Sequence, residues 1–139
     1  MEYDLTRFLT AHALDYQSAL SELRRGRKVS HWMWYIFPQC RGLGYSSTSR
    51  RYAIRSLEEA EAYLAHPVLG QHMRELCETL LSLDTNDAEA VFGPIDAAKL
   101  RSSMTLFRLA DPQDDIFERV LQKFFDGRED DRTLDILGL

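Results

Sequence analysis

The chain has 139 residues, 45% hydrophobic and 28% charged, with a formal net charge of −5 at pH 7. This balance suits a soluble globular domain long enough to close its own core, and it sets aside disordered and membrane-spanning classes; the longest uncharged aromatic run, 29–40, is too short for a bilayer and contains Pro38. The acidic total argues against a protein built chiefly to hold nucleic acid, yet residues 1–56 carry nine Lys/Arg against four Asp/Glu, and residues 57–139 carry eight against eighteen.

In chain order, Leu5, Phe8, Leu9, Tyr16, Leu20 and Leu23 keep helical spacing behind Asp4, an N-cap candidate, and Gly26 supplies a stop. After RRGRK comes SHWMWYIFPQCRGLGYSS, in which Ser30 is expected to cap a short helix ending at the Phe37–Pro38 boundary, because proline disfavours helix for the residue before it. Gly42 and Gly44 mark a loop, and Ser46 to Ser49 offer N-caps for a short helix carrying Arg50, Arg51, Tyr52 and Ile54. Ser56-Leu57-Glu58-Glu59 is a capping box, predicting a helix to about Ala65, and His66-Pro67 starts another with Leu69, Met73, Leu76, Cys77 and Leu80 inward. Asn86 to Glu89 repeats the capping pattern before a short helix closed by Gly93; Asp96 is expected to cap a longer one through Leu100, Met104 and Phe107. Asp111-Pro112 is expected to open the next, with Ile116, Val120, Leu121 and Phe124 inward and Gly127 after it, and a last short helix begins near Asp131. Period-2 alternation is confined to Trp32, Trp34 and Ile36, so the expectation is an all-α, compact single-domain bundle of about six to eight helices over residues 1–139, with a short hairpin in the aromatic stretch as the alternative.

Three groups of residues carry candidate chemistry. The aromatic stretch is first a source of core, since Trp, Tyr and Phe dominate packing energetics. Its company is polar, however: Ser30, His31, Gln39 and Arg41 flank a glycine loop and are costly to bury unpaired, a combination that also fits a ligand pocket with an aromatic wall. Histidine is the side chain that exchanges protons near neutral pH, which makes His31 the candidate acid–base residue; a structural role is the alternative. Lys99, Ser102 and Ser103, at i, i+3 and i+4, share one side of a helix whose adjacent stripe is Leu100, Met104 and Phe107. They serve either close helix–helix approach or a pocket edge. Fourteen of the seventeen cations are arginines, whose rigid fork suits carboxylate or phosphate. Arg50 and Arg51 are expected in the first turn of their helix, where the macrodipole disfavours cations, so either a bound anion or a salt bridge to the acidic half is needed to explain them.

His12, His66 and His72 lack metal-ligand spacing, and Cys40 and Cys77 stand far apart with no CxxC, so no metal, cofactor or disulfide is expected and both thiols read as reduced. The N-terminus carries acids and no long apolar segment, so no secretory leader is read there and a cytoplasmic location follows as an expectation.

The segments DLTRF, KVSHWMWYIFPQCRGLG, RRYAI, AYLAHPVLG, VFGPIDAAKLRSSMTLF and RTLDIL, in that order, resemble the bacterial domain of unknown function 1810 family, some members of which carry the label calpastatin. The resemblance spans nearly the whole chain. It implies a compact, mainly helical single-domain fold and no established activity; the chain holds no inhibitor motif to match the calpastatin label. A looser likeness of character, helical with aromatic and basic residues, links it by analogy to a helical superfamily that handles ADP-ribose-like ligands. The resulting expectation is one pocket for a small anionic, ring-bearing ligand, such as a nucleotide or ADP-ribose derivative. Trp34 and Tyr52 would give stacking surface, Arg51 and Lys99 charge, and Ser30, Ser102 and Ser103 hydrogen bonds, with His31 as acid–base if a bond is hydrolysed. The alternative is a non-catalytic module that docks an acidic protein or nucleic acid on the basic N-terminal half.

Overall fold

The computed structural model describes residues 3–139, which form nine helices and no strand. These are α1 (Thr6–Arg24), α2 (Met33–Ile36), α3 (Ser47–Tyr52), α4 (Leu57–Ala65), α5 (Pro67–Ser82), α6 (Ala88–Phe92), α7 (Pro94–Ala110), α8 (Ile116–Phe125) and α9 (Asp131–Ile136). The all-helical expectation holds, with more short helices than foreseen. In place of a hairpin there is a single parallel bridge, Cys40 to Ile54.

Local chemistry sets most of the boundaries. The Ser56 hydroxyl accepts the Glu59 N–H at the start of α4, and the His66 ring accepts the Val68 and Leu69 N–H groups ahead of Pro67. Asp87 and Asp130 cap α6 and α9 in the same way. Several expectations need correction: the N-cap of α1 is Leu5 and not Asp4, and Ile54 lies beyond α3, on the bridge to Cys40. Ser30 does not cap α2, whose start carries no side-chain cap, because its hydroxyl is given to Glu22. Asp96 lies in the first turn of α7 and not before it, since Pro94 takes the first helical position behind Gly93 at φ +80°. Asp111-Pro112 forms a turn, and α8 begins only at Ile116, whose N–H bonds the Asp114 carboxylate. Arg50 and Arg51 stand in the last turn of α3, where the macrodipole favours cations, so the electrostatic anomaly expected of them is absent.

Helix α5 packs against α1, α4 and α8; α7 packs against α4, α6, α8 and α9; α2 bridges α1 and α3. Between them Phe8, Tyr63, Phe107 and Phe117 form a chain of ring contacts through the core, with successive centroids 5.1, 5.2 and 6.0 Å apart. The last carbonyls of α5 are satisfied by Lys123, whose ammonium donates to Leu80, Leu81 and Leu83. Most of the aromatic stretch is core: Trp32, Met33, Tyr35, Ile36 and Phe37 are buried. Trp34, on the outer side of the single turn α2, is only partly covered.

Candidate functional site

The segment leading into α2 is shaped by one buried acid. Glu22, 4% exposed near the end of α1, accepts the Val29 N–H at 2.6 Å, the Ser30 N–H at 2.8 Å, the Ser30 hydroxyl at 2.7 Å and the Trp32 indole N–H at 3.0 Å. Burial by itself raises the carboxyl, but the bonds from Ser30, Val29 and Trp32 outweigh it and hold Glu22 at about 2. Ser30 is therefore occupied as a structural donor. The His31 carbonyl accepts from the Tyr35 hydroxyl at 3.3 Å, while the His31 residue itself is exposed.

Beyond α2 the chain runs through Gln39 and Cys40, where the Arg41 N–H donates to Ile54 O and the Ile54 N–H to Gln39 O, both at 2.8 Å. This bridge fastens the two ends of the segment 41–53, whose helix α3 packs on α2 through Tyr52 and Tyr35, ring centroids 5.0 Å apart. Gly42, at φ +99°, supplies a backbone conformation that L side chains rarely adopt. Gly44 lies so close to Ser49 that an added Cβ would stand 2.6 Å from the serine Cβ and Oγ. The Ser46 hydroxyl accepts the Ser49 N–H at 3.1 Å and starts α3.

Here lies an open cavity of about 420 Å3, on whose lining Arg41, Tyr45 and Arg50 are exposed. Trp34, Tyr45 and Tyr52 give it aromatic surface, Arg41 and Arg50 give it charge, and the Gly42–Gly44 backbone forms part of its wall. A second cavity, about 210 Å3, adjoins it; the two share Gln39, Leu43, Gly44 and Ser49, and the second adds Lys99, Ser102 and Arg132. The Lys99 ammonium lies 5.2 Å from the centre of the Trp34 ring, a cation–π distance, and 3.6 Å from Asp96. Lys28 holds the other Asp96 oxygen more closely, at 2.9 Å.

The expected residues divide accordingly. Trp34 and Tyr52 line the larger cavity, and Lys99 and Ser102 the smaller. Ser30, His31, Arg51 and Ser103 line neither. Arg51 is exposed and stacks its guanidinium 5.6 Å from the Tyr52 ring centre, leaving the cavity wall to Arg50. Ser103 is fully buried in α7, and its hydroxyl has no partner among the described residues. Ser102 donates to Asp130 at 3.0 Å, and the same carboxylate oxygen accepts the Thr133 N–H and hydroxyl. Gln39, Arg41, Tyr45 and Arg50 were legible as polar or aromatic residues around the glycine loop, but their convergence depends on the 40–54 bridge, which has no sequence signature. Arg132 comes from α9, far along the chain, and nothing local announces it.

A second polar group lies deeper. His12, 3% exposed, bonds Tyr35 O through Nε2 at 2.8 Å and His72 through Nδ1 at 2.9 Å, and Tyr16 stacks on His72 while donating to Glu75. Burial pulls His12 down to about 4 and also lowers His72, so both rings are neutral at pH 7. With its two ring nitrogens committed to protein partners, His12 is a core group. No cluster of three metal-ligating side chains occurs among the described residues. The two thiols are buried and shifted up by that burial, so neither is a ready nucleophile.

No helix among the described residues is long and apolar enough to cross a membrane. No curated protein matches the sequence. The chain is similar to the conserved hypothetical protein Rv1873 from Mycobacterium tuberculosis, whose crystal structure superposes with a TM-score of 0.96 at 47% identity, covering 99% of this chain and 98% of that one. The family model described as protein of unknown function (DUF1810) matches residues 2–137, and the chain therefore belongs to that family.

Proposed function

We propose that this protein binds a small anionic, ring-bearing ligand, of nucleotide or ADP-ribose-like character, in the cavity between α2, the 39–45 loop and α3. The observation that carries this reading is the lining: three aromatic rings, Trp34, Tyr45 and Tyr52, around a space of about 420 Å3 that also presents Arg41 and Arg50. Indole and phenol faces accept planar rings by stacking, and arginine forks accept phosphate or carboxylate oxygens in pairs. The volume falls within the roughly 300–1,000 Å3 of small-molecule pockets. Lys99 and Ser102 extend the same site from the adjoining cavity.

The reading is one of binding. No histidine lines either cavity and His31 stands outside both, so the acid–base role expected of His31 has no place in this site. Tryptophan fluorescence tests the proposal, because Trp32 is buried and Trp34 is at the cavity wall. Titration with AMP, GMP, CMP, UMP and ADP-ribose is expected to quench the wild type, with quenching lost in Trp34→Phe. Absence of quenching by every member of the panel contradicts the proposal.

A further inference from the structure

Resting on that reading, we propose that the two adjoining cavities are one bipartite site for a nucleoside 5′-phosphate: base in the larger cavity, sugar along the shared wall, phosphate in the smaller cavity against Lys99 and Arg132. The lining changes character in the order in which such a ligand does. Aromatic surface comes first, from Trp34 and Tyr52. The shared wall is uncharged, formed by Gln39, Leu43, Gly44 and Ser49. The Ser49 oxygen already accepts a bond from Ser46 at 2.9 Å, which leaves its own proton to donate. Beyond the wall the charge is positive, from Lys99 and Arg132.

Lys99 stands at the junction, since its ammonium is over the Trp34 ring and it also lines the smaller cavity. Its bond to Asp96 is long, at 3.6 Å, and that acid is shared with the nearer Lys28, so Lys99 is weakly committed. Arg132 is exposed and forms no salt bridge among the described residues. Asp130 also lines this cavity, its Oδ2 accepting bonds from Ser102 and Thr133. The two cations outnumber that one carboxylate and can both donate to phosphate oxygens, and charge-assisted bonds of this kind are stronger than neutral ones.

Isothermal titration of AMP against adenosine, and of GMP against guanosine, tests the assignment on the full chain. Wild type is expected to prefer the nucleotide by about tenfold or more, and Lys99→Gln and Arg132→Gln are each expected to reduce that preference about tenfold. Two results overturn it in distinguishable ways. A preference retained in either variant but lost in Arg50→Gln places the phosphate in the larger cavity, ending the bipartite site and leaving the binding reading standing. No binding of any nucleotide or nucleoside to the wild type ends both.

Discussion

Glu22 has four donors turned to one carboxylate and no salt-bridge partner among the described residues, so its charge is stabilised by hydrogen bonds alone. Removing the acceptor leaves buried N–H groups unpaired, and each costs free energy that folding must offset. Glu22→Ala is accordingly predicted to lower unfolding stability by about 3 kcal/mol, read from urea denaturation; a change under about 0.5 kcal/mol would show that the cradle does not hold the segment 29–32. His12 gives a second prediction at this scale. Its folded value of about 4 lies below the ordinary 6.5, so the unfolded chain binds the extra proton first as pH falls. The stability it contributes is present above 6.5 and drains away between 6.5 and about 4, by roughly 3 kcal/mol in total. Urea midpoints measured from pH 7.5 to 4.5 should fall with acidification, and a flat profile would contradict the buried neutral ring. Ser30 and His31 show what individual residues cannot reveal in sequence. Their polarity suggested a pocket, but the acceptor that settles Ser30 is Glu22, on the preceding helix, and only the tertiary fold brings the two together.

At the scale of elements, legibility followed the locality of the signal. Ser56, His66 and the Asp130–Asp131 start act within one helical turn, and each sets its boundary where the sequence placed it. Asp96 and Asp111-Pro112 misled because two signals competed within a few residues, and the proline at 94 and the carboxylate of Asp114 took the helix starts instead. The exchange of Arg51 for Arg50 at the cavity wall has the same origin, because a helix of six residues turns each side chain about 100° from the last and a small shift of its start changes which arginine faces inward. The loop that closes the cavity offers its own test. In Gly44→Ala the new Cβ would meet Ser49 at 2.6 Å, and the backbone must move to relieve it. The expected result is a loss of about 1–3 kcal/mol in stability together with weaker nucleotide quenching of Trp34. Unchanged quenching in a folded Gly44→Ala protein would show that this wall does not contact the ligand.

Across the whole molecule, the basic N-terminal half and the acidic remainder are tied by Arg7–Glu59 at 3.0 Å and Lys28–Asp96 at 2.9 Å, while Arg41, Arg50 and Arg132 make no such pair among the described residues. Part of the charge asymmetry is thus spent inside the fold, and Arg41, Arg50 and Arg132, outside those pairs, line the two adjoining cavities. The all-helical architecture was legible from periodicity and from the family motifs. The cavities were legible only as a set of residue types, since Trp34, Arg50, Lys99 and Arg132 come from four separate helices. The most direct test is a 1H–15N correlation spectrum of the labelled protein titrated with AMP. Shifts are predicted for the Trp34 indole N–H and for the Gly42, Gly44 and Ser49 amides, saturating together with a single affinity. Shifts confined to the 28–32 segment or to α5, with those four signals unmoved, would contradict the assignment of the ligand to this site.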